Sequence, residues 1–579
     1  MNTKRYTLIS FSMSNKKNTG SYYTPKILSD FLVNHILDKY LNSKEISILE
    51  PSCGDGQFMK SMFNNNCSEF FQSINLDLID IDSDELKKAK SLIPSHEIIS
   101  SKAYVSDYLK FHLESDKKYS LILGNPPYIK KENLKKEQIE RCEKVHKKAK
   151  AYSDKINSNG KIKNIWPAFV EAAIMSLEDN GVLCFVIPAE VLQVKYAKEL
   201  RSLIADEFDR VEVFAFNELI FEGIQQDVVA IIGVKGIRDV NEHGFSFYQV
   251  DELNDLKEPR FTEKHSNIHR TTLDKWTNYI LSDEELNFVG ELKSHYKSID
   301  NYCKKAEVGI VSAANDYFIL NDSELKENEL NRFRSIVKPI LPKGSLVPSL
   351  ANFTSDDFSR LKKKDVKVNF LSFRDSPSSR FNKKIKDYLH KGEKEKLHLR
   401  YKMIKRTNWY HVPNTWVSEG LFVKRSHLYP KIFVNDSNSL ATDSFYRIII
   451  KESYNIKKLI FSFYNSLTFV LAELEGRFYG GGVLELTPNE FKYLSIPYSE
   501  NIKNEDFEIL DNMLRANTDI EVILKFTNSI LLPNNVVSKL EDLRKKLVSR
   551  RLKNKERKDE VIQLKKKEIE NPKYEAVAG

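Results

Sequence analysis

Short apolar runs separated by amphipathic stretches fill residues 45–236. They are Ile46-Ser47-Ile48-Leu49, Leu76-Asp77-Leu78-Ile79-Asp80-Ile81-Asp82, Tyr119-Ser120-Leu121-Ile122-Leu123-Gly124, Gly181-Val182-Leu183-Cys184-Phe185-Val186-Ile187-Pro188 and Asp227-Val228-Val229-Ala230-Ile231-Ile232-Gly233-Val234. Runs of this length read as buried strands. Their alternation with helical stretches predicts a doubly wound α/β sheet over residues 45–275, closed by a linker and a strand pair at 237–275. Residues 1–44 are expected to form a loop and one helix. From about residue 276 aromatic and basic residues interleave and the β-α alternation fades, so 276–539 reads as a separate, mixed α+β domain. Leu540 onward reads as a highly charged helix, with Arg550-Arg551 and Lys565-Lys566-Lys567.

The chemistry gathers where the runs end. After Gly124 comes Asn125-Pro126-Pro127-Tyr128. The two prolines stiffen the turn, because each fixes its own φ and restricts the residue before it. Asn125 Oδ1 and the Pro126 carbonyl are two acceptors that can draw a conjugated exocyclic amine toward tetrahedral geometry, and Tyr128 offers a flat face for a base. These four residues alone fit a rigid turn with a surface tyrosine equally well. After the first run comes Glu50-Pro51-Ser52-Cys53-Gly54-Asp55-Gly56-Gln57-Phe58. Gly54 and Gly56 let backbone approach a ligand closely, and Glu50 can hold the ammonium of an amino acid. Asp80 ends the second run where nucleotide-binding β-α-β units place an acid for ribose hydroxyls. Asp107, in Ser106-Asp107-Tyr108, can accept from an adenine amine or cap a helix.

Together, Gly20-Ser21-Tyr22-Tyr23-Thr24-Pro25, the Leu49–Gly56 loop, Asp80-Ile81-Asp82 and Asn125-Pro126-Pro127-Tyr128 resemble the motifs of adenine-specific DNA methyltransferases. Their order, cofactor motifs first, catalytic motif next and a long recognition region last, is that of the gamma (TaqI-type) group. The resemblance covers roughly residues 18–236 and includes Ile165-Trp166-Pro167-Ala168-Phe169-Val170-Glu171. It implies a Rossmann-like domain dependent on S-adenosylmethionine, followed by a target-recognition domain. By this resemblance Thr24, Glu50 and Ser52, with Gly54 in the loop, hold the methionine part of the cofactor. Asp80 holds its ribose and Asp107 its adenine amine. Ile81, Tyr108, Pro127 and Phe169 wall its adenine, although Phe169 suits a helix core equally. Asn125, Pro126 and Tyr128 form the catalytic turn. Phe221, at the matching place before the Val228–Val234 run, is the second aromatic against the target base. Gly309-Ile310-Val311-Ser312-Ala313-Ala314-Asn315-Asp316-Tyr317-Phe318 resembles the opening of the group's recognition domains. Arg406-Thr407-Asn408-Trp409-Tyr410, Ala441-Thr442-Asp443-Ser444-Phe445-Tyr446 and Gly480-Gly481-Gly482 resemble later parts, where Trp409 also fits a core position.

The net charge of +9 suits a polyanion. Basic residues outnumber acidic ones between Lys383 and Arg406, a stripe suited to duplex phosphates. The polar stretch 129–164, with Lys130-Lys131, Lys135-Lys136 and Lys147-Lys148, fits a solvated helix or a loop closing over DNA phosphates. The second is favoured because the stretch leaves directly from the catalytic turn. The five cysteines form no CxxC pair, so neither a metal site nor a disulfide framework is expected. No cysteine nucleophile is required if the amine itself attacks. The segment 6–13 is too short to span a membrane, and Met13 is a second candidate start. The expected protein is a monomeric, cytoplasmic, nucleoid-associated prokaryotic enzyme acting on double-stranded DNA. It would modify DNA for a restriction system, beside a separate endonuclease that forms no stable complex with it, or act as a solitary methylase. The alternatives are a bifunctional restriction-modification enzyme, an RNA or protein-glutamine methyltransferase, and a non-catalytic DNA-binding protein on the same scaffold.

Overall fold

The computed structural model describes residues 23–41, 43–64, 70–157, 162–216, 220–221, 227–258, 262–266, 275–276, 281–374, 381–479 and 482–570. It divides into two compact units, Met1–Ile280 with Arg557–Gly579, and Leu281–Glu556.

In the first unit, helix α1 (Lys26–Lys39) is followed by β1 (Glu45–Glu50), α2 (Gln57–Asn64), β2 (Ser73–Asp80), α3 (Ser83–Ser91), β3 (Ile99–Val105), α4 (Tyr108–Glu114) and β4 (Tyr119–Gly124). Helices α5 (Lys136–Tyr152) and α6 (Trp166–Met175), strand β5 (Leu177–Pro188), helix α7 (Lys198–Glu207) and strands β6 (Arg210–Phe216), β7 (Val228–Val234), β8 (Gly244–Val250) and β9 (Thr262–Ser266) complete it. All nine strands join one sheet in the order β3-β2-β1-β4-β5-β7-β6-β8-β9. The pairs β3–β2, β2–β1, β1–β4 and β4–β5 are parallel, whereas β7 runs antiparallel to β5 and β6. The central strands are buried on both faces: Ile48, Leu49, Leu121, Ile122 and Leu123 are inaccessible. That is why they read as continuous apolar runs. Truncating one of them, as in Leu49→Ala, is expected to cost about 2–5 kcal/mol in lost burial and cavity.

Asp77, the first of three acids in the second run, is buried and receives Lys117 Nζ at 2.6 Å and the Tyr119 hydroxyl at 2.7 Å. Chain order reverses between β1 and β4. Such a switch point leaves a crevice at the carboxyl ends of the strands, where open α/β sheets bind ligands.

The stretch 129–164 differs from the expected closing loop. It contains the 17-residue helix α5, with Cys142, Val145 and Ala149 buried and its lysines facing outward. An apolar stripe at helical spacing decides this outcome, because it can be buried only by packing on the domain. The pair β8 and β9 at 244–266 extends the main sheet.

The second unit holds several small sheets. One runs antiparallel in the order Cys303–Val308, Phe445–Ile450, Gly420–Val423, Ile432–Val434. Another joins Ile319–Leu320, Asn369–Leu371, Val337–Leu341 and Leu440–Ala441. Helix α8 (Lys383–Lys394) and the short helix α9 (Tyr401–Ile404) lie over a core that includes Tyr317, Phe318, Tyr388 and Met403, with Trp409 packed against it. The final helix, α10 (Asn534–Glu570), begins six residues before Leu540, and Leu540, Leu543, Leu547 and Arg551 are buried along it. Arg551 pairs with the Glu473 carboxylate and donates to the Gly482 carbonyl at 2.5 Å. Gly480 and Gly481 lie outside the described residues. Among the described residues, no helix is long and apolar enough to cross a membrane.

Candidate active site

Two loops and one turn meet at the switch point. The β1–α2 loop turns sharply because Gly54 (φ +51°) and Gly56 (φ +82°) take left-handed conformations. A Cβ on Gly56 would stand 2.7 Å from the Ala89 Cα on α3, so only glycine fits there. The Gly54 amide donates to Asp80 Oδ2 at 2.8 Å, and the Asp82 amide donates to Asp80 Oδ1 at 2.8 Å. Asp80 is thus locked at the end of β2, facing the glycine loop. Tyr23, just before Thr24, lays its ring beside Gly54, and Thr24 is buried. Residues 20–22 of that motif lie outside the described residues.

Glu50 ends β1 with 1% of its surface exposed, and its Oε2 has no hydrogen-bond partner among the described residues. Burial pushes its carboxyl well above the usual carboxylate range, and the charges of Asp55 and Asp80 push it further. Burial also raises Asp55 and Asp80. A buried, unpartnered carboxylate oxygen among other acids is costly in the free protein and is relieved by a cationic ligand. The donor set therefore fits the ammonium and sulfonium charges of S-adenosylmethionine.

The Asn125–Tyr128 turn is tied to this loop. The Ser52 hydroxyl donates to the Asn125 carbonyl at 3.2 Å. A Cβ on Gly124 would touch Pro51 Cδ at 3.6 Å and Glu50 Cγ at 3.8 Å. Pro126 is buried and Pro127 half-buried. The Tyr128 hydroxyl lies 2.6 Å from Asn125 Oδ1 and 2.9 Å from the Val186 carbonyl on β5. With one proton, it donates to one of these acceptors at a time. The rings of Tyr128 and Phe221 face each other at 6.2 Å between centroids, inclined by 59°. A flat base between two parallel rings needs about 7 Å, two carbon contact distances of roughly 3.5 Å, so one would enter only once the rings part and turn toward parallel from the 59° at which they stand. Around Phe221, Glu218, Leu219, Glu222 and Gly223 lie outside the described residues.

The third element is the start of α4. Asp107 caps this helix, its Oδ1 accepting from the Leu109 amide at 2.8 Å and the Lys110 amide at 3.2 Å. Its Oδ2 accepts from Arg141 Nη1 of α5 at 2.8 Å. Arg141 was missed in the sequence because nothing local links it to Asp107. Tyr108 and Phe169 pack ring against ring at 5.2 Å and are both buried, so helix packing accounts for them as they stand. Ile81 is 65% exposed at the carboxyl end of β2, an apolar side chain left open at the crevice. The two neighbourhoods the structure draws together are thus Glu50, Ser52, Gly54, Asp80 and Asn125 on one side, and Asp107, Tyr108, Phe169 and Arg141 on the other.

A sheet of this order, with a glycine loop and an Asn-Pro-Pro-Tyr turn at its switch point, defines the Rossmann-like methyltransferase fold, here with a further domain. Family comparison carries the assignment further. Residues 11–221 match the Eco57I restriction-modification methylase model, and residues 273–532 match the C-terminal domain of the Type II methyltransferase M.Eco57I. The chain belongs to the restriction-modification methyltransferase family that these two models describe. It is 24% identical over 506 residues to the Type II methyltransferase M.AccI of Acinetobacter calcoaceticus, covering 83% of this chain and 86% of that one. It is 23% identical over 589 residues to M.BanIII of Aneurinibacillus aneurinilyticus, covering 89% and 96%. The cryoEM structure of a DrdV–DNA complex shares the fold at a TM-score of 0.52 and 12% identity, over 87% of this chain and 58% of that one.

Proposed function

We propose that this protein transfers a methyl group from S-adenosylmethionine to the exocyclic amine of an adenine turned out of duplex DNA. It acts at a defined sequence, as the modification arm of a restriction-modification system. The observation that carries this assignment is the buried, unpartnered Glu50 oxygen, one hydrogen-bonded step (Ser52 to the Asn125 carbonyl) from an amine-binding turn.

Glu50 and Ser52, with Thr24 beside them, take the amino-acid end of the cofactor. Asp80 takes the ribose hydroxyls through the lone pairs its two backbone bonds leave unused. Asp107 takes the adenine amine, while Ile81, Tyr108, Pro127 and Phe169 bound the ring. When bound, S-adenosylmethionine would supply a sulfonium methyl carbon that an amine can attack, with the thioether of S-adenosylhomocysteine as leaving group.

The target amine is weakly nucleophilic, so the protein's task is positioning and preorganised polarity. Asn125 Oδ1 and the Pro126 carbonyl accept its two hydrogens and turn its lone pair out of conjugation. Tyr128 and Phe221 hold the base, which must leave the stack to reach them. Burial raises the thiols of Cys53, Cys142, Cys184 and Cys303, so none is poised as a nucleophile. This suits attack by the amine itself. The relatives' names, Type II methyltransferases, support DNA as the substrate. One catalytic domain beside one recognition domain suits a monomer working alongside a separate endonuclease, in the cytoplasm where the DNA lies.

The test is transfer of tritiated methyl from S-adenosylmethionine to duplex DNA, RNA and protein, with nuclease activity measured in parallel and the labelled DNA digested to nucleosides. Label in N6-methyladenine is the expected result. Label in 4-methylcytosine would overturn the adenine assignment, label only in RNA or protein would overturn DNA as substrate, and cleavage would assign a nuclease as well.

A further inference from the structure

In the second unit, the turn between α8 and the aromatic core carries three large apolar side chains outward within six residues. Leu399 is 57% exposed, Tyr401 73% and Ile404 65%. Solvent-facing apolar side chains are ordinary singly, but three on one short projection are not. The projection is built to hold its shape. Leu397 and Met403 anchor it in the core. Arg400 Nη1 donates to the Ala313 carbonyl at 2.9 Å. Arg406 donates to the carbonyls of Trp409, Val311 and Ser312 at 3.0, 3.2 and 2.8 Å. These bonds clamp it onto the loop 311–314 and consume no carboxylate, so both guanidinium charges add to the local field.

The segment 396–406 contains Lys396, Arg400, Lys402, Lys405 and Arg406 and no acidic residue. Lys405 Nζ lies 4.0 Å from the Tyr401 ring centroid and donates to its hydroxyl at 2.7 Å. A membrane surface calls for a longer amphipathic helix than the four residues of α9. Cations around an apolar tip match a nucleic-acid duplex, with phosphates outside and base edges, thymine methyls and base steps within the groove.

We propose that Leu399, Tyr401 and Ile404 enter a groove of the target duplex and make apolar contacts that select its sequence, while Lys402 and Lys405 hold the flanking phosphates. This rests on the assignment of DNA as substrate and adds which residues read it.

The test compares full-length wild type, the triple variant Leu399→Ser/Tyr401→Ala/Ile404→Ser and the double variant Lys402→Gln/Lys405→Gln. Each is equilibrated with a pool of short duplexes of randomised centre, the bound fraction is sequenced, and affinity for the enriched duplex is measured across salt concentrations. Thermal unfolding and binding of S-adenosylhomocysteine serve as fold controls and should be unchanged, because all these side chains face solvent. The triple variant is expected to lose about tenfold or more of its preference for the enriched sequence, with an unchanged salt slope. The lysine variant should keep the sequence preference and lower the slope by about one for each phosphate no longer neutralised. A triple variant with the wild-type motif and affinity would overturn the inference while leaving the DNA assignment intact. So would a triple variant unchanged on DNA that no longer binds another protein. A wild-type enzyme that neither binds nor enriches DNA would overturn both.

Discussion

Glu50→Gln should weaken S-adenosylhomocysteine binding at alkaline pH and erase its pH dependence. In the free protein Glu50 is enclosed, its Oε2 lacks a partner among the described residues, and burial, reinforced by Asp55 and Asp80, holds its carboxyl above the usual range. Binding an ammonium requires the carboxylate. Below the free protein's pKa, each pH unit therefore costs about 1.4 kcal/mol of affinity, a tenfold rise in Kd. Above it, Kd is flat. Glutamine keeps the shape and one acceptor but cannot pair with the cation, so the loss there is about 1.5–3 kcal/mol, or about 10- to 150-fold. The two proteins should converge as pH falls, because the wild-type carboxyl is then neutral too.

Calorimetry between pH 5 and 9 reads this directly. In buffers of different ionisation enthalpy, wild type should release a proton on binding below its pKa and the variant should not. The stability consequence has a definite sign. An acid whose folded pKa lies above its unfolded value destabilises the folded state as pH rises from the unfolded pKa to the folded one. Glu50→Gln should therefore raise the melting temperature of the free protein at alkaline pH. A wild-type Kd independent of pH, together with unchanged affinity in the variant, would remove Glu50 from the ammonium site.

Asn125→Ala should lower methyl transfer by about 100-fold or more with cofactor affinity unchanged by calorimetry. Tyr128→Phe, which keeps the ring but loses the hydroxyl held at Asn125 Oδ1, should lower kcat by only about 2- to 10-fold, the worth of one neutral hydrogen bond. Arg141→Gln should weaken S-adenosylhomocysteine binding by less than about fivefold, because its pair with Asp107 is partly exposed, and less than Asp107→Asn does. The buried Glu212 carboxylate is opposed by burial but held from its ordinary 4.5 down to about 2 by His35, Lys39 and Tyr40. It should contribute about 3 kcal/mol of stability, present above pH 4.5 and lost as pH falls toward 2. Acid titration of wild type against Glu212→Gln, followed by circular dichroism, should show that step only in wild type.

The first unit was legible because its strands are buried on both faces and its motifs sit at their ends. The run 119–124 coincides with β4, and 227–234 with β7 to within one residue. The edge strand β3, Ile-Ser-Ser-Lys-Ala-Tyr-Val, carries no such signal, since it pairs only with β2 and is half-exposed. The stretch 129–164 was misjudged because its lysines outweighed the sparser stripe of Cys142, Val145 and Ala149 that packs α5. Asp107 to Arg141 was invisible because a contact across 34 residues depends on how α5 docks, which no local pattern reports. In the second unit, strands of two or three residues such as Ile319–Leu320 and Leu440–Ala441 are too short for any periodicity to register.

Ser52 and Asn125 stand 73 residues apart in the chain, yet a side chain of one motif meets the backbone of the other. The reason is topological. Strands β1 and β4 are parallel neighbours at the switch point, so the loop leaving one and the turn leaving the other must share the same edge of the sheet. A methyl donor and its acceptor need separate pockets held at a fixed spacing, and two adjacent parallel strands can supply that spacing. The costly features gather there as well: the Glu50 oxygen, unpartnered among the described residues, and the open Ile81 side chain. Each is a liability in the free protein and each is relieved by a ligand of one chemistry, a cation carrying a flat apolar ring. Local rules broken together around one crevice mark the place where folding stability is given up for binding.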